Sequence, residues 1–419
     1  MTPDRVIQGR APRRAAIVVA VAAAATWWGG TVPTPAGARQ EGAPETAAST
    51  RIPFELEEHL IWLQVRVNGA GPFTVLLDSA AQFSALDIAR ASALGIAPTR
   101  KALSAGSGGA VSIGLARNVT FGLGDQAVAI DPVILQPLDF VRTGVGRRLD
   151  GILGAEVFLR HVVEIDYGRL VVTLHNPKTY AYGGKGDALA LKLWQGRTPL
   201  VQGAVAMTGR EPIEGDFQVD TGSAQVLTLC SPFVDRNGLL DLVPKTIPSN
   251  STGVGGESPE LVGRLDGVRL GSQLLASPIV RFSRATQGVF AMNAFAGNIG
   301  GELLSRFTVV FDYARERMFL EPNAHVADPF VYNMSGIQLE LEEPGGKAFA
   351  VHAVAPGSPA AEAGLLGGDV ITAIDGRPAS EYRLSAIRRM FKEEGRELNL
   401  RIRRNGRTRE LSLRLRMMI

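Results

Sequence analysis

Short runs of Val, Ile, Leu and Phe, broken at Gly, Pro and Asn, dominate the chain from about residue 52 onward. Val65-Arg66-Val67 alternates apolar with polar and stops at Asn68-Gly69, and Leu170-Val171-Val172-Thr173-Leu174 is another compact run. Alternation with a period of two that ends on Asn-Gly is strand and hairpin chemistry. Helix-period stretches are few, so the pattern predicts a mainly β protein. The amino-terminal pattern differs. Arg13-Arg14 precedes an apolar stretch from Ala15 to Ala25, followed by the small residues Ala36-Gly37-Ala38, which is the order of a cleavable export leader over residues 1–38. That stretch is short against the roughly 20 residues a membrane span needs, and an uncleaved anchor is the alternative reading. Residues 39–51 lack apolar periodicity and read as a flexible linker.

The β-rich region is written twice. Phe73-Thr74-Val75-Leu76-Leu77-Asp78-Ser79-Ala80-Ala81 has its counterpart in Gly215-Asp216-Phe217-Gln218-Val219-Asp220-Thr221-Gly222-Ser223. Gly106-Ser107-Gly108-Gly109 answers to Gly253-Val254-Gly255-Gly256, and Gly151-Ile152-Leu153-Gly154 to Gly297-Asn298-Ile299-Gly300. Val163-Glu164-Ile165-Asp166-Tyr167 matches Val309-Val310-Phe311-Asp312-Tyr313. The copies lie 142 residues apart at Asp78 and Asp220, 147 at Gly106 and Gly253, and 146 at the last two landmarks. A weak motif that recurs in one order with nearly one spacing is a duplication. It predicts two mostly antiparallel β-barrel-like lobes, residues 52–182 and 183–325, each within the size of one domain.

Composition narrows the chemistry. With 44 basic against 41 acidic residues, the net charge of +3 gives no case for a nucleic-acid partner. The single cysteine, Cys230, sits in the apolar run from Val226 and reads as a buried structural residue. Five histidines show no metal-ligand spacing, so neither a metal nor any other cofactor is expected.

What remains is carboxylate chemistry. Asp78 and Asp220 are the acids at the equivalent place in both copies, each ending an apolar strand and preceding a hydroxyl and small residues. Two lobes around a twofold would set them face to face, where repulsion between like charges keeps one proton on the pair. The ionised member then draws a proton from water while the protonated member donates to a carbonyl oxygen. Ser79 and Thr221 have the hydroxyls to bond across the pair, and Ala80 and Gly222 let the backbone approach closely.

At these residues the sequence resembles the retropepsin-like aspartic proteases, whose signature is Asp-Thr-Gly-Ala/Ser after an apolar pair, a glycine-rich flap and a late apolar-apolar-Gly turn. Asp220-Thr221-Gly222-Ser223 fits this pattern throughout. The resemblance implies one bilobal acid-protease unit over about residues 52–325 with Asp78 and Asp220 as its catalytic dyad. It also implies flap tips for substrate at Gly106, Ser107, Gly108, Gly109 and at Gly253, Val254, Gly255, Gly256, with Gly154 and Gly300 crossing behind the active-site loops. The first copy departs from the signature in reading Asp78-Ser79-Ala80: serine keeps the hydroxyl, but alanine would be strained if the position needs a positive φ.

The pattern changes after Pro329. Ser335 to Leu341 alternates after a glycine, Pro356 to Leu365 reads as turn, short helix and glycine stop, and Gly368 to Pro378 is a strand closing on Asp375-Gly376. Residues 330–419 thus resemble the α+β PDZ domains attached to bacterial periplasmic proteases. The resemblance implies that a peptide adds as a strand beside Ile337, with its terminal carboxylate held by the loop Met334, Ser335, Gly336, Ile337, and that a helix from Glu381 to Lys392 forms the other wall.

Together these readings describe a monomeric, cofactor-free aspartic endopeptidase, periplasmic or secreted, that cuts extended polypeptide and uses a PDZ domain to recruit substrate or partner through a C-terminal peptide. The alternative is a catalytically silent exported peptide-binding protein with a degenerate first half-site at Ala80. Cleavage after Ala38 predicts a mature amino terminus at or near Arg39, which amino-terminal sequencing of the protein from the cell envelope checks; an intact Met1 in that fraction would reject a cleaved leader.

Overall fold

The computed structural model describes residues 19–20 and 49–419. The leader, its cleavage site and the linker as far as residue 48 lie outside the described residues, apart from Val19–Ala20, a two-residue strand parallel to Thr252–Gly253. The remainder forms two β lobes and a carboxyl-terminal α+β domain, as the hydrophobic pattern predicts.

In the first lobe, the strand Leu60–Val67 turns through Asn68 (φ 48°) and Gly69 (φ 82°) into Ala70–Leu77. Positive φ at both turn residues is what a tight hairpin requires, and Asn-Gly supplies it cheaply. The second strand runs directly into Asp78. Val75, Leu76 and Leu77 are all buried, because Gly151–Leu153 pairs alongside them in parallel while Leu60–Val67 covers the other edge. The lobe is mostly antiparallel, with a second parallel pair where Ala85–Asp87 lies beside Ile134–Gln136. A strand covered on both faces reads as one continuous apolar run, and Val75-Leu76-Leu77 is such a run. The second lobe repeats the arrangement, with Ile213–Val219 leading into Asp220 and Gly297–Ile299 parallel to Phe217–Val219.

The lobes meet where Val162–Asp166 pairs with Phe307–Asp312, so that first-lobe strands enter the sheet of the second. Val163 faces Phe311, Glu164 faces Val310 and Ile165 faces Val309. A shift of 146 positions carries Val163 onto Val309 and Ile165 onto Phe311, so the pairing is its own image. A local twofold axis thus passes between Glu164 and Val310. Around it Phe158 stacks edge-on against Phe311 at 5.2 Å and lies near-parallel to Tyr313 at 5.7 Å, joining the cores of the two lobes.

The carboxyl-terminal domain has its own core, built on Ile337, Phe349, Ile371, Leu400 and Ile402 among others. Ser358 caps the short helix Pro359–Glu362 by accepting from the Ala361 amide at 3.2 Å, and Gly364 (φ 79°) ends it. Ile337–Leu341 is the edge strand of the sheet. The second helix is shorter than the expected Glu381 to Lys392. It spans Leu384–Met390, because Tyr382 and Arg383 are extended after a 3-10 turn at Ala379–Glu381.

Candidate active site

The two strand ends place Asp78 and Asp220 at the lobe boundary, both fully buried. Their backbones are held identically: the Asp78 amide donates to Leu153 O and the Asp220 amide to Ile299 O, each at 2.9 Å. The next residues lock the loops together across the boundary. The Ser79 amide donates to Thr221 Oγ1 at 3.0 Å and the Thr221 amide to Ser79 Oγ at 3.1 Å. In return Ser79 Oγ donates to Val219 O at 2.7 Å, and Thr221 Oγ1 to Leu77 O at 2.8 Å. Serine and threonine are equivalent here because only the hydroxyl is used.

Neither Ala80 nor Gly222 adopts a left-handed backbone, so the strain foreseen for Ala80 does not arise. Gly222 is needed for a different reason. A Cβ there would lie 2.3 Å from Asp78 Cγ, inside the carboxyl group itself. Gly154 and Gly300 pass equally close behind the loops, where a Cβ would meet Ala81 O at 2.6 Å and Gln225 O at 2.3 Å.

The carboxyls differ in their partners. Asp78 Oδ1 accepts from the Ala80 and Ala81 amides at 2.9 and 2.8 Å, while its Oδ2 is buried with no hydrogen-bond partner. Asp220 Oδ1 accepts from the Gly222 amide at 2.8 Å, and its Oδ2 accepts from Asn298 Nδ2 at 2.9 Å. Burial, and then the charge of Asp220, push the Asp78 carboxyl far above the ordinary carboxylate range. Burial raises Asp220 to about 6, opposed by its Asn298 and Gly222 donors. Asp220 has a side-chain donor to its charged form and Asp78 has none, which favours the last proton on the Asp78 side. Two buried tyrosines lie crosswise beneath: Tyr167 of the first lobe feels Asp220, and Tyr313 of the second feels Asp78.

Both predicted flap tips are hairpin ends that meet over the boundary. Arg100–Ala105 and Ala110–Ala116 enclose Gly106 to Gly109, and Ile247–Gly253 pairs with Gly256–Arg264 around Val254-Gly255. The Gly108 amide donates to Val254 O at 3.0 Å, with Ser107 and Val254 both buried. A Cβ at Gly106 or Gly108 would fall 2.0 or 2.3 Å from the opposite tip, so glycine is required by contact between the flaps. A second-lobe loop adds the Val289 amide to Gly106 O and Gln287 Nε2 to Gly108 O. The flaps are closed.

Met334 to Ile337 lie together on the loop entering the edge strand. Three of their amides are engaged inside the domain: Met334 N to Phe391 O at 2.7 Å, Ser335 N to Asn333 Oδ1 at 2.9 Å and Ile337 N to Ser335 Oγ at 3.0 Å. Beside them a cavity of about 830 Å³ separates the edge strand and the helix Leu384–Met390 from the lobes, reaching Glu57 and Glu58 and the segment Ala224 to Val226. The dyad is not part of it. Asn298 is the site residue that the sequence reading passed over. Its signal was present as a polar residue in the second copy where the first has Ile152.

Residues 63–157 match a family model described as aspartyl protease, and residues 351–404 match one described as PDZ domain. The chain thus carries an aspartyl protease domain and, towards its carboxyl end, a PDZ domain. Among solved structures, the crystal structure of basic 7S globulin from soybean aligns with 68% of this chain and 99% of its own, at 13% identity and a TM-score of 0.37. No curated protein matches.

The burial of the pair predicts two coupled titrations, the lower near 6 and the other above it. Carbon-13 NMR of aspartate-labelled protein checks this; two independent midpoints at about 4, the value for free carboxyls, would contradict it.

Proposed function

We propose that the chain is an exported aspartic endopeptidase in which Asp78 and Asp220 share one proton and activate water against a peptide carbonyl. The observation that carries this reading is the reciprocal Ser79–Thr221 clamp around two buried carboxyls with unequal partners. As water attacks, Asp220 takes its proton and Asp78 donates to the carbonyl oxygen, giving a tetrahedral diol. On collapse, Asp220 passes its proton to the departing nitrogen and Asp78 recovers one from the diol hydroxyl, so the pair returns to its starting state. No group on the protein is acylated. Extended polypeptide suits the cleft, since a flap edge accepts a strand: Val19–Ala20 pairs with Thr252–Gly253. Ala80 gives no support to a silent site, because its backbone is unstrained and its amide reaches Asp78. Export to the periplasm or beyond rests on the amino-terminal leader pattern.

Recruitment by the PDZ domain completes the proposal, and the groove has a gate. Arg388, on the groove helix, donates to Leu339 O of the edge strand at 2.8 Å, to Glu58 Oε2 at 3.0 Å and to Gly144 O at 2.7 Å. Asn333 Nδ2 occupies Ile337 O at 2.7 Å. An added strand needs those carbonyl edges, so a peptide must displace Arg388 from Leu339.

Asp78→Asn and Asp220→Asn should each lower cleavage of an unfolded protein by about a thousandfold or more, with the circular dichroism unchanged; wild-type turnover in either would remove the paired mechanism. Arg388→Ala should strengthen binding of a fluorescent extended peptide by about fivefold or more, measured by polarisation, because the edge no longer has to be cleared. Weaker binding would show that Arg388 holds the peptide rather than the gate.

A further inference from the structure

The duplication is nearly symmetric in backbone, yet the layer next to the dyad is not symmetric in chemistry. In the first lobe Ile152 lies between Leu76 and Ala85 in the strand register, all buried and apolar. In the second lobe the equivalent Asn298 lies between Gln218 and Thr228, all buried and polar. Leu76 and Gln218 precede their aspartates by two positions, so each shares a strand face with its carboxyl. The fold manages with apolar packing at this place, as the first lobe demonstrates. Buried amides there are costly, and two acceptors, Asn298 Oδ1 and Gln218 Oε1, have no hydrogen-bond partner.

The contact that offsets this cost is the one from Asn298 Nδ2 to Asp220 Oδ2, in a residue 1% exposed. An amide nitrogen can only donate, so it favours the ionised carboxylate; turned over, its oxygen would face the charge and be repelled. Asp78 has no side-chain donor of this kind, and its Oδ2 is left unpartnered. We infer that Asn298 is a positioning residue that assigns the roles within the dyad, keeping Asp220 as the base and leaving the proton to Asp78. The inference rests on the reading of the pair as catalytic.

The test compares pH profiles of peptide cleavage for Asn298→Leu, near-isosteric but unable to donate, with those of the wild type. The expected result is a kcat lowered about tenfold or more, a KM within about twofold, and an acidic limb displaced upward by about half a pH unit or more, since Asp220 loses a donor to its charged form. The exchange variant Ile152→Asn with Asn298→Ile should recover kcat relative to Asn298→Ile alone, because a donor is returned to the other carboxyl. Should the leucine variant fail to fold, Asn298→Ser, whose hydroxyl is too short to reach Asp220, carries the same expectation. An unchanged acidic limb with wild-type kcat in a folded variant overturns the role of Asn298. Loss of activity in Asp220→Asn alongside that result leaves the dyad standing, whereas an active Asp220→Asn removes the dyad itself.

Discussion

Two carboxyl groups buried against one another are an unfavourable arrangement, and the rest of the candidate active site holds it in place. Removing a carboxylate from water costs several kcal/mol, and repulsion opposes a second charge beside it. The four hydrogen bonds exchanged by Ser79 and Thr221 resist that separation. Each hydroxyl accepts from the opposite loop's amide and donates to the strand just before the opposite aspartate. A displacement of either lobe therefore strains all four together. Because the bonds lie in a dry environment, breaking one exposes unsatisfied groups rather than hydrated ones, which makes the clamp stiffer than its number of bonds suggests.

The twofold axis through Glu164 and Val310 supplies this geometry cheaply, since one sequence pattern used twice builds both halves. In a perfectly symmetric pair the two carboxyls would share a proton without preference, so any fixed difference between them has to come from unlike neighbours. The second lobe departs from the first where such a difference is useful. Polar residues replace apolar ones beside Asp220, and behind them Arg281 is paired with Glu260 and Gln225 where the first lobe keeps hydrocarbon. The backbone therefore carries the shared geometry, and the side chains of one strand layer carry the asymmetry.

Much of this was legible in the chain. Asp78, Asp220, the hydroxyls and the flap glycines stand out because steric need forces the same small residues into both copies; at Gly106 and Gly222 even a methyl group has no room. Parallel pairing of Gly151–Leu153 with the catalytic strand was not legible, because a continuous apolar run reports burial on both faces and is silent about direction. The shortened helix at Leu384 turns on backbone angles at Tyr382 and Arg383, which propensity does not determine. Ala80 misled in the opposite sense, since a residue that stands for glycine suggests a left-handed backbone that the loop does not use. The Arg388 contacts with Glu58 and Gly144 could not be anticipated: they depend on how two separately folded domains meet.

That meeting bears on how the enclosed dyad is reached. Among the contacts at the flap tips are three hydrogen bonds, Gly108 N to Val254 O, Val289 N to Gly106 O and Gln287 Nε2 to Gly108 O, each worth about 1 kcal/mol net. Ser249, in the strand that leads to the second tip, accepts a hydrogen bond from Gln338 of the PDZ edge strand at 2.8 Å. The first flap carries Leu103 exposed to solvent. A strand added at Ile337–Leu341 would lie beside the contact of Gln338 with Ser249, so an occupied groove would bear directly on the hairpin that carries the second flap tip.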